Sequence, residues 1–348
     1  MRRISLLAAL ALFMGVAAAS SAWAQHPKNL EAADPAVASP VPLAPVGNGT
    51  VLLGIDPLGN LNDGILGLTY VPTGNEALNV AYLGEGWGAA DAGLGIQGYA
   101  NEGFGDFNVA LVSYIDDGVS AMSVTTVGGI LEVTHLFAPS PDTPNLYEII
   151  VTMKNISGGP LTDVRYTRNM DWDVNPTPFV EFVTIQGTAA EPRVLYADNN
   201  GFQSPGPLDP RGSLGAVGDF IDFGPTDQGA HFDFGFGALN TGASVSFVIY
   251  YGAAGDEAGA LAALAAVNAS VYSFGQTSRD PAGGTPNTFI FAFGDFIPLA
   301  KDLTSGPDRD GSVWFDDFSD IGGLTLNGDA DQFGSVLRLT PAATGQAG

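Results

Sequence analysis

Three carboxylates near the middle of the chain have the residue types and spacing that hydrolytic chemistry uses. Asp171 and Asp173 lie two residues apart in the stretch MDWDVNPTPFVEF, and Glu181 follows in the same stretch. Residues two apart on a β-strand share one face and are separated by roughly 6.5 Å along the backbone. That separation suits the acid and base of a glycoside hydrolase, or a bound cation. We favour the alternative of a solvated strand face, because an acid–base pair also needs a pocket.

A long strand and its return must position these carboxylates. From Val164 to Asn175 apolar and polar side chains alternate strictly, which predicts a half-buried β-strand. The following segment, 175–178, contains two prolines and predicts a turn. The range 179–186 is rich in aromatic and β-branched residues and predicts the returning strand.

Arg168 lies on the apolar face of the predicted strand, where an unpaired guanidinium is costly. Glu181 on the returning strand is its predicted partner. The register of the two strands decides which residues Glu181 lies beside. If the numbers of directly opposed residues sum to an odd number, Glu181 shares the face of Arg168 and the two form a structural ion pair. If the sum is even, Glu181 joins Asp171 and Asp173 in a three-carboxylate cluster. We favour the ion pair, because the other residues on the face of Glu181 are apolar. Those residues are Phe179, Val183 and Ile185.

Two polar loops offer oxygen ligands of the kind that calcium uses. The loop DPLGNLNDG contains the candidate ligands Asp56, Asn60 and Asn62, and the loop DNNG contains Asp198. Calcium is therefore the candidate cofactor, and we expect any affinity to be modest and to stabilise the sandwich. The three histidines are scattered and the chain has no cysteine, so the sequence predicts neither a zinc site nor a cysteine nucleophile. No G-x-S-x-G, P-loop or dinucleotide motif occurs.

Composition and the first residues of the chain predict export. Arg2 and Arg3 precede an apolar run that ends at Ala22-Trp23-Ala24, the pattern of a secretory signal peptide cut after Ala24. No later apolar run is long enough to span a membrane. Removal of the signal leaves 10 basic against 37 acidic residues, a net charge of −27, which disfavours nucleic acid as a partner. We expect a secreted, extracellular or surface-held protein.

The remaining sequence predicts an all-β protein. Short β-branched and aromatic runs recur between turns in a chain with 47 glycines and 23 prolines, which favours a large antiparallel two-sheet sandwich. Gly128-Gly129 predicts a tight hairpin. Asp256 as N-cap, followed by apolar residues at helical spacing, predicts one amphipathic helix over about 256–271, with Leu261 and Leu264 on its packed face. The expected segments are a signal peptide (1–24), a Pro/Ala-rich linker (25–47), the sandwich (48–300), a second linker (301–312) and a C-terminal segment (313–348).

Two stretches resemble known families. Segments such as NVAYLGEGWGAADA, NLYEIIVTMKNISG and GTPNTFIFAFGDF resemble uncharacterised exported bacterial proteins, many of the PEP-CTERM surface-sorted kind, over roughly residues 50–296. The stretch VWFDDFSDIGGLTLNGDADQFGSVLRLT, from Val313, resembles the opening strands of a legume-type (L-type) lectin domain. Such a domain needs on the order of 200 residues, so we expect an incomplete lectin-like β segment here. The sugar and metal ligands of that family lie beyond these strands, so none is assigned to this chain.

These observations favour a binding or structural protein of the cell surface or extracellular matrix. A carbohydrate or another cell-surface polymer is the expected partner. The alternative is a secreted polysaccharide hydrolase that uses Asp171, Asp173 and Glu181. A deep pocket with two of these carboxylates and a raised pKa would favour the enzyme, whereas a filled face would favour binding.

Overall fold

The computed structural model describes residues 45–78, 84–101 and 103–297. In chain order its elements are β1 (Val46–Gly47), β2 (Val51–Leu53), β3 (Leu68–Tyr70), β4 (Asn75–Glu76), β5 (Glu85–Asp91), β6 (Ile96–Asn101), β7 (Val109–Asp116), β8 (Ala121–Val127), β9 (Leu131–Pro139), β10 (Leu146–Asn155), β11 (Leu161–Trp172), β12 (Glu181–Gln186), β13 (Val194–Asp198), β14 (Phe220–Thr226), β15 (Gln228–Leu239), β16 (Ser244–Ala254), α1 (Glu257–Ala266), β17 (Val271–Gln276) and β18 (Thr288–Ile297).

The strands form three antiparallel sheets. The largest has the order β14-β12-β17-β18-β16-β10-β9-β8-β7, the second has the order β13-β15-β11-β5-β6, and the smallest contains β1 to β4. Aromatic rings join the two large sheets: the ring centroid of Phe232 on β15 is 5.4 Å from that of Phe291 on β18, and the Phe234 and Phe293 centroids are 4.6 Å apart. Apolar faces that interlock in this way define a sandwich, so the predicted all-β fold is confirmed.

The glycine hairpin and the helix are also confirmed. Gly128 and Gly129 both have positive φ and join β8 to β9, whose ladder starts with Val127 opposite Leu131. The Asp256 carboxylate caps α1 by accepting a hydrogen bond from the backbone N–H of the third helical residue at 2.7 Å.

The helix is shorter than the predicted range, and of the two leucines predicted on its packed face only Leu264 is buried. Asn268 adopts the left-handed conformation at φ 51°, which ends the helical turn, and Val271 already begins β17. Ala260, Ala263 and Leu264 are buried, whereas Leu261 is exposed. The packed face of α1 therefore consists mainly of small side chains.

Strand β11 lies at the centre of the five-stranded sheet, between β15 and β5. Its inward residues are fully buried, as the alternation predicts; they are Val164, Tyr166, Arg168, Met170 and Trp172. Its second half is also buried on the opposite face, because the loop after β13 lies over it: Asn169 Nδ2 donates to the carbonyls of Gly201 and Gln203 at 2.8 and 2.9 Å. The prediction of a solvated outer face is wrong there.

The chain after β11 does not return beside it. Strand β12 pairs with β14 and β17 in the nine-stranded sheet. The connection 173–180 therefore crosses from one large sheet to the other, and the predicted hairpin is wrong. Phe179, predicted on the core face, precedes β12 and is exposed.

The domain boundaries are only partly covered by the described residues. Strand β1 pairs with β2, so the last two residues of the predicted linker 25–47 belong to a sheet. The signal peptide, the second linker and the lectin-like segment lie outside the described residues. In the part of the chain that is described, no helix has both the length and the apolar character needed to cross a membrane.

Candidate functional site

The partner of Arg168 is Glu85, and the predicted partner Glu181 is wrong. The Arg168 guanidinium donates through Nε to Glu85 Oε1 and through Nη2 to Glu85 Oε2, the latter at 2.8 Å, and both side chains are fully buried. Strand β5 is a direct neighbour of β11, with Trp87 opposite Arg168, so Glu85 lies two residues along on the same face. Glu181 belongs to the other large sheet and cannot take this place.

Residues from both large sheets complete the hydrogen bonds of this ion pair. Arg168 Nη1 donates to the Tyr166 hydroxyl at 3.0 Å, and His135 Nε2 lies 2.9 Å from the same oxygen. The Tyr251 hydroxyl donates to Glu85 Oε1 from β16. Burial and the Arg168 charge hold the pKa of His135 well below its ordinary value, so the imidazole is neutral at pH 7. These five residues, the core ion cluster, join the two sheets at the centre of the sandwich.

The core ion cluster has no room for a substrate. A side-chain carbon added at Gly59 would lie 2.8 Å from His135 Nδ1, and the carbonyl of Gly59 accepts from Arg168 Nη2 at 3.0 Å. The rings of Trp87 and His135 are 4.6 Å apart. All five side chains of the core ion cluster are fully buried and surrounded by protein atoms.

The three candidate carboxylates are buried. Asp171, Asp173 and Glu181 have 1%, 0% and 0% of their surface exposed. Glu181 Oε1 accepts from the backbone N–H of Gln228 at 2.9 Å. Burial raises the pKa of Glu181 to about 9, against the lowering effect of that hydrogen bond, and the charges of Asp227 and Asp173 raise the pKa further. Glu181 is therefore protonated at pH 7, and the structure places it within electrostatic reach of Asp173.

In the loop that contains Asp56, two of the candidate calcium-ligand oxygens already accept hydrogen bonds, whereas the buried Asn60 Oδ1 accepts none from the described residues. Asp56 Oδ1 accepts from the backbone N–H of Leu58 at 2.8 Å, and burial raises the pKa of Asp56 to about 6. Asn60 and Asn62 are both buried, and Asn62 Oδ1 accepts from the backbone N–H of Gly64.

Asp198 lies on β13, in the five-stranded sheet, and its two carboxylate oxygens accept from the Tyr196 hydroxyl, Gln203 Nε2 and the backbone N–H of Asn200. Across residues 45–78, 84–101 and 103–297, no three His, Asp or Glu side chains are grouped to hold a metal ion. The calcium site stays a prediction from the sequence.

An exposed aromatic residue, which the sequence pattern predicts on the core face, lies in the connection between the two large sheets. Phe179 is 41% exposed and adopts the left-handed conformation at φ 68°, which is uncommon for an aromatic residue. Hydrogen bonds anchor the loop two residues before Phe179: the hydroxyls of Thr177 and Thr277 are 2.9 Å apart, and the backbone N–H of Ser278 donates to Thr177 Oγ1 at 2.9 Å. We call residues 175–180 the Phe179 loop.

An open cleft of about 370 Å³ lies elsewhere, between Asn48 and the proline-containing loop 139–144. Its lining includes none of the candidate carboxylates or calcium ligands.

The fold and these sites define an antiparallel β-sandwich protein with a buried ion pair at its centre. In comparisons with known proteins, the chain matches no model of a protein family and no curated protein. The function must therefore be argued from the geometry of this chain.

Proposed function

We propose that this chain is an exported protein of the cell surface or extracellular matrix with a binding role, and that it binds carbohydrate through the Phe179 loop. The signal-like segment 1–24 supports export, and the lectin-like segment 313–348 supports an association with sugars. The observation that carries the proposal is the exposed ring of Phe179 on a backbone in the left-handed conformation.

An exposed aromatic ring offers a flat apolar surface on which the C–H face of a sugar ring can stack. The left-handed conformation of Phe179 costs on the order of 1 kcal/mol of conformational energy. Residues in such conformations persist only where the surrounding structure holds them, and they are common at binding sites. Because the hydrogen bonds of Thr177 anchor the loop two residues before Phe179, we expect little backbone ordering entropy to be lost when a ligand binds.

The hydrolase alternative has weaker support. The raised pKa of Glu181 beside Asp173 fits a general acid next to a charged carboxylate. However, both side chains are fully buried, and a general acid must lie within hydrogen-bond reach of the leaving group. A polysaccharide cannot reach these groups in this structure.

A glycan array followed by calorimetric titration tests the proposal. The chain from Gln25 to Gly348 is screened, and the retained oligosaccharides are titrated into wild type, Phe179→Ala and Phe104→Ala. Phe104 is the matched control, because it is 40% exposed in a different loop. We expect affinity to fall at least tenfold in Phe179→Ala and to stay unchanged in Phe104→Ala. An array without retained glycans would refute carbohydrate binding, and an equal effect of both variants would refute the assignment to this loop.

A further inference from the structure

We propose that two copies of this chain pair through β7, the last strand of the nine-stranded sheet. Strand β7 pairs with β8 along one side, and the sheet order ends there within the described residues. Before β7 begins, Phe107 forms an isolated β-bridge with Tyr99 on β6 of the five-stranded sheet. The backbone groups of these two residues exchange hydrogen bonds of 2.8 and 2.9 Å. Beyond that bridge, the outer backbone groups of β7 are available to another strand.

Strand β7 is exposed on both faces. Four consecutive residues, 110–113, are exposed, although Val109 and Tyr114 pack against the core. Leu111 and Val112 are 47% and 57% exposed, and Ile115 is exposed as well. An apolar edge strand of this kind is a template for strand addition.

The charge of the chain restricts where a second copy can dock. The chain has 37 acidic and 12 basic residues, so most surfaces of two copies repel each other. The stretch from Phe107 to Ile115 contains no charged residue. If two β7 strands pair antiparallel about a two-fold axis, the Asp116 end of one strand lies beside the uncharged Val109 end of the other, and the two Asp116 side chains are kept apart.

The other edge of the same sheet is unsuited to pairing. Strand β14 contains Pro225, which has no N–H to donate, and Asp222 with a positive φ of 48°. Its pairing with β12 has two register irregularities, whereas the pairing of β7 with β8 has one, at Val112. The edge at β14 is therefore irregular, although Ile221 on it is 66% exposed. This contrast supplies a matched control within one sheet.

The contact is small. An eight-residue strand pair buries on the order of 1,000 Å² in total, at the low end for specific interfaces, so we expect a dimer with a dissociation constant in the micromolar range. Because the charges around the strand repel, added salt should strengthen the association.

Sedimentation velocity on the full chain from about 1 to 200 μM tests the pairing, in low and in moderate salt. Val112→Lys places a charge in the middle of the edge, and Ile221→Lys places the same charge on the opposite edge. We expect wild type and Ile221→Lys to dimerise alike and Val112→Lys to weaken dimerisation at least tenfold, while all three melt at similar temperatures. A chain that stays monomeric, whether because another part of the chain covers the edge or because the edge stays bare, would overturn the proposal.

Disulfide trapping gives a second readout, since the chain has no cysteine. Ser113→Cys lies near the centre of β7 and should form a covalent dimer under mild oxidation. Ile221→Cys should not. Equal crosslinking of both variants would show that the contact is not at β7.

Discussion

Replacement of Glu181 by glutamine should stabilise the protein, and the gain should increase with pH. The Glu181 carboxyl is fully buried, with one oxygen bonded to the backbone N–H of Gln228, and burial raises its pKa to about 9 from an ordinary value of 4.5. Glutamine has a similar shape, its amide oxygen can accept the same hydrogen bond, and it does not titrate.

The magnitude follows from proton linkage. Between pH 4.5 and 9 the native carboxyl holds a proton that the unfolded chain has released, so wild-type stability falls as pH rises through this window. Each unit of difference between the native and the unfolded pKa changes the free energy of unfolding by about 1.36 kcal/mol. The glutamine variant should gain on the order of 3 kcal/mol relative to wild type between pH 4.5 and pH 7, and on the order of 6 kcal/mol by pH 9.

Urea unfolding at pH 5, 7 and 9, followed by tryptophan fluorescence, measures this difference. Glu132→Gln, a half-buried glutamate on β9, controls for the loss of one carboxylate. A free-energy difference between wild type and Glu181→Gln that stays constant from pH 5 to 9 would refute the assignment of a neutral carboxyl to Glu181.

Two further changes test the core and the hairpin. Arg168→Met should destabilise the fold by about 3–5 kcal/mol, because it leaves the Glu85 carboxylate buried without its cation. The double variant Arg168→Met/Glu85→Leu should recover most of that loss. Equal stability of the single and double variants in urea would contradict this expectation. Gly129→Ala should destabilise the fold by about 1 kcal/mol because of its positive φ. Gly128→Ala should destabilise it more, because the added carbon would also overlap Cγ2 of Ile96 on β6. Equal urea midpoints for the two variants would contradict this steric argument.

Local patterns predicted the elements well. The strict alternation along β11 has the period of a strand, and its apolar face is the face that the core buries. The two consecutive glycines at 128 and 129 supply the positive φ that a tight hairpin requires. The Asp256 cap also marked the start of α1. In each case the signal lies within a few residues of the feature.

The partner of Arg168 could not be predicted in this way. Glu85 is 83 residues away, and its place beside Arg168 depends on the order of strands in the sheet, which no local pattern specifies. The only available signal was a single glutamate inside the apolar stretch GEGWGAADA. The core position predicted for Phe179 was wrong for a related reason, since it assumed that β12 returned beside β11.

The most direct test of carbohydrate binding is a crystal structure of the chain with an oligosaccharide that the array retains. We predict a sugar ring stacked on the exposed face of Phe179, with the backbone of the Phe179 loop unchanged. An oligosaccharide bound elsewhere, with the Phe179 ring uncovered, would contradict the account.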